Sequence, residues 1–248
     1  TKTDVVEKPD AITLPAITGN VEFNDVFFSY DGEKAALENF TLSVKAGESV
    51  ALVGPSGAGK GTICKVLMDR NKDLKLSVSA TTRQPRTGEV EGVNYFFLTH
   101  EKFNDMISKN EFLEYANTYS NFYGTPKGPV MECLEKGQDV VLEIEMQGAR
   151  QVKQIYPDAI LIFVLPPTLN ELQSRLSSRG TETEEQMQER LSCAFEEIKQ
   201  IKDYNYFIFN ETNREVEAAI EIENIISAEK NKAARYEEDI IRKFKEEL

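Results

Sequence analysis

A nine-residue segment, GPSGAGKGT at residues 54–62, constrains the fold more than any other feature of this sequence. Gly54, Gly59 and Lys60 match the pattern G-x-x-x-x-G-K, in which glycines let backbone N–H groups turn toward phosphate oxygens. The apolar residues 48–53 before it predict a strand, and residues 61–70 after it predict a helix whose N-terminus favours an anion. The sequence therefore predicts an α/β fold whose phosphate loop binds a nucleoside triphosphate.

Gly61 stands where this pattern normally has serine or threonine. A hydroxyl at that position would bind Mg²⁺ directly, so this loop is expected to hold phosphate firmly and the metal less directly. Thr62, the next residue, can still bond a phosphate.

The order of predicted elements indicates how the chain is organised. Residues 21–30 and 36–45 alternate and predict an antiparallel β-hairpin, which leads into the strand before the phosphate loop. From there strands alternate with helices, which favours a mainly parallel sheet flanked by helices. We therefore divide the chain into a β segment at residues 1–53 and an α/β domain at residues 54–248.

The charge balance limits the possible partners. The chain has 42 acidic and 29 basic residues, a formal net charge of −13, which repels nucleic acid and anionic membranes. An anionic substrate therefore needs a local cluster of basic side chains. The single histidine, His100, argues against His-based catalysis, and three widely spaced cysteines predict thiols rather than disulfides. No apolar run is long enough to span a bilayer, so we expect a cytoplasmic location.

Arginines and carboxylates provide the candidate chemistry. Arg83 and Arg86 flank a proline in SATTRQPR, where two guanidinium groups on a stiff turn suit a phosphate. Further arginines follow on two predicted helices, at Arg175, Arg179 and Arg190. Solvated surface arginines, or arginines paired with nearby glutamates, are the open alternative.

The segment DVVLEIE at residues 139–145 is an apolar strand pattern that ends in two glutamates. It resembles the acidic end of a Walker B strand, whose carboxylate orders Mg²⁺ and its waters. Alternation places Glu143 and Glu145 on the same side of the strand. Two solvated carboxylates at a strand end remain the alternative.

Five motifs in order along the chain resemble the guanylate kinase family: GPSGAGKGT, SATTRQPRTGEVEGVNYFF, FLEYANTYSNFYGTP, VVLEIEMQGARQVK and RLSSRGTETEEQMQERL. The resemblance covers about residues 51–248, and five motifs in order make it specific. It implies transfer of the γ-phosphoryl group of ATP to GMP. It also implies a GMP-binding insertion at about 80–125 and a helical lid at about 170–190.

The resemblance implies a role for each matching position. The residues expected to hold GMP are Ser79, Arg83, Arg86, Tyr95, Glu114, Tyr123, Thr125, Glu143 and Glu145. The residues expected to hold ATP are Ser56, Gly57, Ala58, Gly59, Lys60, Gly61, Thr62 and Asn210. The residues expected to act on the moving phosphoryl group are Lys60, Arg175, Arg179 and Arg190. Mg²⁺ is expected at Thr62 and Glu145 through water, although many family members have aspartate where this chain has Glu145.

Guanine chemistry agrees with the role that the resemblance implies for Glu114. Guanine presents two donors, N1–H and the exocyclic N2–H₂, and one carboxylate can accept from both. Adenine presents an acceptor at N1, which a carboxylate repels. Leaving a buried carboxylate unpaired costs enough to discriminate strongly between the two bases.

The segment before the phosphate loop resembles a different family. LPAITGNVEFNDVFFSYDGEKAALENFTLSVKAGESVALVGPSGAGK is similar to the start of an ABC transporter ATPase domain, over about residues 1–60. In that family the aromatic residue matching Tyr30 stacks on adenine; an aromatic packed on the core is the alternative here. The LSGGQ signature of that family is absent. We therefore predict a chimera, engineered or natural, joined at the phosphate loop.

The predicted function is that of an ATP:GMP phosphotransferase which binds ATP, GMP and Mg²⁺, and neither nucleic acid nor membrane. A monomer or a homodimer is expected. Two alternatives stay open: a nucleotide-binding scaffold with little turnover, and a fragment of an ABC-type ATPase. GMP binding without turnover would favour the first, and ATP hydrolysis without GMP would favour the second.

Overall fold

The computed structural model describes residues 21–29, 35–44, 49–118, 121–178 and 184–246. Its strands are β1 (Val21–Ser29), β2 (Ala35–Val44), β3 (Ser49–Val53), β4 (Lys75–Leu76), β5 (Ala80–Thr81), β6 (Phe96–Phe97), β7 (Phe112–Thr118), β8 (Asn121–Pro126), β9 (Val140–Glu143), β10 (Ile160–Leu165) and β11 (Tyr206–Phe209). Its α-helices are α1 (Lys60–Arg70), α2 (His100–Ser108), α3 (Lys127–Glu135), α4 (Met146–Ile155), α5 (Leu169–Ser177), α6 (Glu184–Ile198), α7 (Glu215–Lys230) and α8 (Glu237–Glu246).

The core is a five-stranded parallel sheet in the order β11-β10-β3-β9-β4. Its central strands are continuous apolar runs, SVALV in β3 and ILIFVL in β10, because parallel strands are covered on both faces. Leu52 and Phe163 are fully buried. The structure confirms the predicted fold class, a parallel sheet flanked by helices.

Two hydrophobic clusters cover the two faces of this sheet. One contains Ile63 of α1 and Ile222 of α7, packed against alternate residues of β3 and β10. The other contains Val130 of α3 and Val152 of α4. The sheet is therefore fixed on both sides, and its carboxyl ends offer a rigid edge for a ligand.

A second sheet occupies residues 80–126, in the order β6-β5-β8-β7. Its β7 and β8 form an antiparallel pair. Phe103 of α2 stacks on Phe112, with ring centroids 4.4 Å apart, and so covers one face. The composition of residues 112–117 predicts a strand, which corresponds to β7. No strand is predicted where β8 lies, because its NFYGTP composition contains turn-forming residues.

The N-terminal strands β1 and β2 pair antiparallel, as predicted from their alternation. Among the described residues they form a two-stranded sheet of their own, with no ladder to the core sheet. The last helix, α8, contacts β2. The composition of residues 74–79 predicts a strand, but the strand is shorter, since only Lys75–Leu76 pairs with β9. Within the described ranges, no helix has the length and apolar character that a membrane span requires.

Candidate functional site

A cavity of about 460 Å³ opens between the phosphate loop, the second sheet and the N-terminal half of α6. It lies at the carboxyl ends of β3 and β9, where α/β sheets bind ligands. The cavity brings together fifteen of the residues predicted from sequence: Ser56, Gly57, Gly59, Lys60, Gly61, Thr62, Ser79, Arg83, Arg86, Tyr95, Glu114, Tyr123, Glu143, Glu145 and Arg190.

Lys60 begins α1 and projects into the curl of the phosphate loop. Its side chain is only 6% exposed. The Nζ atom donates to the carbonyl oxygens of Gly54, at 2.5 Å, and Pro55, at 3.5 Å. It also lies 3.5 Å from Oε1 of Glu145. The loop therefore holds a buried ammonium at the position where a polyphosphate would bind.

The back of the loop is tied down by side chains outside the cavity. Nδ2 of Asn210 donates to the carbonyl of Ala58 at 2.8 Å, and Nη1 of Arg175 donates to the same oxygen at 3.3 Å. Nη2 of Arg175 also donates to the carbonyl of Asn210, at 2.7 Å. A Cβ atom on Gly59, which has φ of 90°, would collide with the Asn210 amide, so this approach requires glycine.

Arg190 is the predicted lid arginine that lines the cavity, and it extends from α6. Arg175 lies on α5, where Glu171 accepts from it at 3.1 Å in addition to the loop contacts. Arg179 and Tyr30 lie outside the described residues. The roles of all four residues stay predictions.

The residues predicted for the acceptor phosphate converge on one wall. The Arg83 guanidinium carbon lies 5.4 Å from the centre of the Tyr95 ring. The rings of Tyr95 and Tyr123 meet edge to face, with centroids 6.2 Å apart. Burial, and then the charge of Glu143, raise the pKa of Tyr95 to about 12, so its hydroxyl stays protonated and can donate to an anion.

Glu114, on β7, also lines the cavity and is 4% exposed. The buried hydroxyl of Thr125, on β8, donates to its Oε1 at 2.6 Å. Burial raises the pKa of Glu114 to about 7, although the bond from Thr125 opposes the shift. The two oxygen atoms of this carboxyl group, when it is ionised, can accept hydrogen bonds from a base that presents two adjacent donors.

Comparison with known proteins gives the same assignment as the geometry. The guanylate kinase family model matches residues 46–229. The chain belongs to the guanylate kinase family. It is 65% identical over 207 residues to the guanylate kinase of Clostridioides difficile, which covers 84% of this chain and 100% of that protein. Against the guanylate kinase of Caldanaerobacter subterraneus, identity is 50% over 204 residues, covering 82% of this chain and 97% of the relative.

A solved structure of the same family has the same fold. The guanylate kinase from Anaplasma phagocytophilum superposes with a TM-score of 0.65 at 33% identity, covering 77% of this chain and 90% of that one. The described cavity therefore lies in a guanylate kinase domain.

Two acidic residues of this guanylate kinase domain lie at the end of β9 and at the start of the helix that follows it. Glu143 is the last residue of the strand, and Glu145 is the N-cap of α4. A Cβ atom on Gly61 would lie 3.3 Å from Oε2 of Glu143, so glycine at this position leaves room for that carboxylate. Both carboxylates line the cavity, as their alternation suggested.

Three residues near the guanylate kinase site were missed by the sequence reasoning. Glu89 pairs with Arg83, and a Cβ atom on Gly148 would collide with the Glu114 carboxylate. Glu197 lies beside Arg190 in an adjoining cavity of about 40 Å³, and burial, followed by the charge of Glu145, raises its pKa to about 7. Glu89 and Gly148 lie within motifs of the family resemblance, and Glu197 lies on the glutamate-rich helix α6. The spacing of residues in the sequence does not distinguish any of the three from its neighbours.

Proposed function

We propose that this member of the guanylate kinase family transfers the γ-phosphoryl group of ATP to GMP. The observation that carries the proposal is a cavity lined by both the phosphate loop and the buried carboxyl of Glu114. Basic side chains line the same cavity, against the strongly acidic balance of the whole chain. Positioning and charge neutralisation are what phosphoryl transfer requires of a protein.

The acceptor half of the cavity suits GMP. Arg83, Arg86, Tyr95 and Tyr123 supply donors for a phosphate, and a guanidinium can contact a phosphate through two parallel N–H groups. Glu114, supported by Thr125 and close to Ser79, supplies acceptors for guanine N1–H and N2–H₂. The GMP oxygen that attacks is already anionic, so a histidine base is not required.

The donor half of the cavity suits the polyphosphate of ATP. Backbone N–H groups of the loop, Lys60 and the start of α1 converge on one anion-binding position. Arg190, which lines the cavity, would balance charge on the moving phosphoryl group, and the same role is proposed for Arg175 and Arg179. Asn210 anchors the loop from behind, close to the side on which adenine is expected.

The donor atoms near the loop suit Mg²⁺, which takes oxygen ligands and keeps several waters. Thr62, Glu143 and Glu145 all line the cavity with oxygen atoms. Among the described residues no group of three or more acidic, histidine or cysteine side chains could hold a metal alone. Mg²⁺ bound with ATP would neutralise the phosphates, with Thr62 and Glu145 in contact through water.

We further propose that residues before the phosphate loop derive from an ABC-type ATPase segment. The sequence resemblance supports this, and the guanylate kinase match begins only at residue 46. The same proposal places Tyr30 against adenine. A cytoplasmic location and a monomeric or homodimeric state stay predictions.

The first experiment is a coupled assay of ADP release, with ATP as donor and either GMP or AMP as acceptor. We expect turnover with GMP and at least about a hundredfold lower kcat/KM with AMP, because AMP leaves Glu114 unpaired. Equal rates with the two acceptors would remove the guanine assignment. GMP binding without turnover would indicate a scaffold, and ATP hydrolysis without an acceptor would indicate an ABC-type ATPase.

A further inference from the structure

The carboxylate of Glu89 connects both arginines on the acceptor side of the cavity. Its Oε1 accepts from Nη2 of Arg83 at 2.8 Å, and its Oε2 accepts from Nη1 at 3.0 Å. The same Oε2 accepts the backbone N–H of Arg86 at 2.6 Å, and the Glu89 N–H donates back to the Arg86 carbonyl at 3.1 Å. One carboxylate therefore fixes a side chain and the turn that carries the second arginine.

The position of the Glu89 pair leaves part of Arg83 available to a ligand. A guanidinium offers two bidentate edges, one through both Nη atoms and one through Nε and an Nη. Glu89 contacts only the Nη atoms, and Nη1 also donates to the carbonyl of Gln84 at 2.7 Å. The Tyr95 and Phe97 rings lie 5.4 Å and 5.8 Å from the guanidinium carbon. Arg83 is thus oriented before any anion arrives.

We propose that Glu89 is a positioning residue for the acceptor phosphate, which pre-aligns Arg83 and Arg86. This inference rests on the proposed GMP kinase function and extends it by one residue. Pre-alignment matters because an arginine side chain that is already ordered loses less conformational entropy when it binds an anion. Both side chains of the pair are largely buried, 14% exposed for Arg83 and 18% for Glu89, so solvent screens the pair only partly.

The alternative role for Glu89 is that of a competitor, which occupies Arg83 until the phosphate displaces it. The contact with the Arg86 backbone argues against this role. An incoming phosphate could replace the carboxylate on Arg83, but moving the carboxylate away would leave the Arg86 N–H without its acceptor. Glu89 therefore stays in place and the phosphate uses the remaining donors.

The test is Glu89→Gln in the full chain, compared with wild type. Glutamine keeps the size of the side chain but has one acceptor oxygen, so it cannot serve both Nη atoms of Arg83 and the Arg86 N–H. We expect the KM for GMP to rise at least about tenfold, with the KM for ATP unchanged, because charge-assisted hydrogen bonds that align the phosphate donors are lost. Guanosine, which lacks the phosphate, should inhibit with the same affinity in both proteins.

The matched control is Glu223→Gln, which changes another bidentate arginine partner. Glu223 accepts from Nε of Arg70 at 3.1 Å and from its Nη2 at 3.0 Å, between α1 and α7. This variant should leave the KM for GMP unchanged. An unchanged or lower KM for GMP in Glu89→Gln would overturn the positioning role, and so would an equal loss of GMP and guanosine affinity. Failure of the proposed function would be seen instead in wild type, as no turnover of GMP.

Discussion

At the scale of single residues, Glu114 combines two opposing requirements. In the role proposed for it, its carboxylate must be ionised to accept from both guanine donors, yet its burial disfavours the charge. The pKa of about 7 means that, without ligand, the group changes its protonation state near neutral pH. The affinity for GMP is therefore expected to depend on pH in a range where most carboxylates are already fully ionised.

We expect kcat/KM for GMP to rise with pH as Glu114 loses its proton. With a pKa of about 7, the ionised fraction increases roughly fourfold between pH 6.5 and pH 8. Initial rates at low GMP concentration across this range measure the effect. A flat profile above pH 6.5 would contradict the role of Glu114 as the titrating acceptor.

Glu114→Gln is the control for this pH dependence, because an amide does not titrate. Its kcat/KM for GMP should be lower at pH 8 by at least about a hundredfold, and its remaining pH dependence reports the GMP phosphate. Since the folded state raises the pKa of Glu114, the ionised carboxylate destabilises the folded state above about pH 7. The variant should thus melt at an equal or higher temperature than wild type at pH 8, which separates lost recognition from unfolding.

The resemblance predicted Glu114 from sequence, but its surroundings could not be predicted. The side chain packs against α4, where only a glycine at position 148 leaves room for the carboxylate. Neither Gly148 nor Glu89 belongs to a spacing pattern, because each acts through a contact that the folded chain creates. Sequence patterns thus predicted the residues that line the cavity better than the residues that position those side chains.

At the scale of elements, continuous apolar runs made the core strands predictable, since β3 and β10 are buried on both faces. The strand β8 was missed because Gly124 and Pro126 are typical of turns, and its neighbours in the second sheet stabilise it in spite of them. The sequence also gave no indication of how the phosphate loop is anchored. Asn210, which follows the end of β11, donates to the carbonyl of Ala58 in the loop.

We expect Asn210→Ala to weaken ATP binding more than GMP binding. The substitution removes the 2.8 Å hydrogen bond to the Ala58 carbonyl and leaves only the longer bond from Arg175. A buried hydrogen bond contributes about 1 kcal/mol, which corresponds to roughly a fivefold increase in the KM for ATP if the loop loosens. The KM for GMP should stay the same, because the hydrogen-bond donors proposed for the GMP phosphate belong to the segment of the second sheet. Steady-state kinetics with each substrate varied in turn measures both values.

The control for this loop variant is Asn231→Ala. Asn231 also donates through Nδ2 to a backbone carbonyl, that of Ser227 at 2.9 Å, but at an exposed position after α7. It should change neither KM. Equal increases in the two KM values for Asn210→Ala would indicate general destabilisation rather than anchoring of the loop.

At the scale of the whole molecule, the described residues form a guanylate kinase domain and a separate two-stranded β segment, β1 and β2. The core sheet and the second sheet complete their ladders without β1 and β2. The guanylate kinase match likewise begins at residue 46. Among the described residues, the β segment contacts α8, which lies beyond the matched range of residues 46–229.

Deleting residues 1–45 should therefore leave a folded GMP kinase. We expect kcat and the KM for GMP to stay within about twofold of the full chain, because no strand of either larger sheet loses a partner. The KM for ATP should rise several-fold, to about the same value in the deletion variant as in Tyr30→Ala, because both remove the proposed adenine stack. An unchanged KM for ATP in both variants would remove the role of Tyr30 and leave the kinase assignment standing. Loss of folding on deletion would show instead that the β segment stabilises the core through α8.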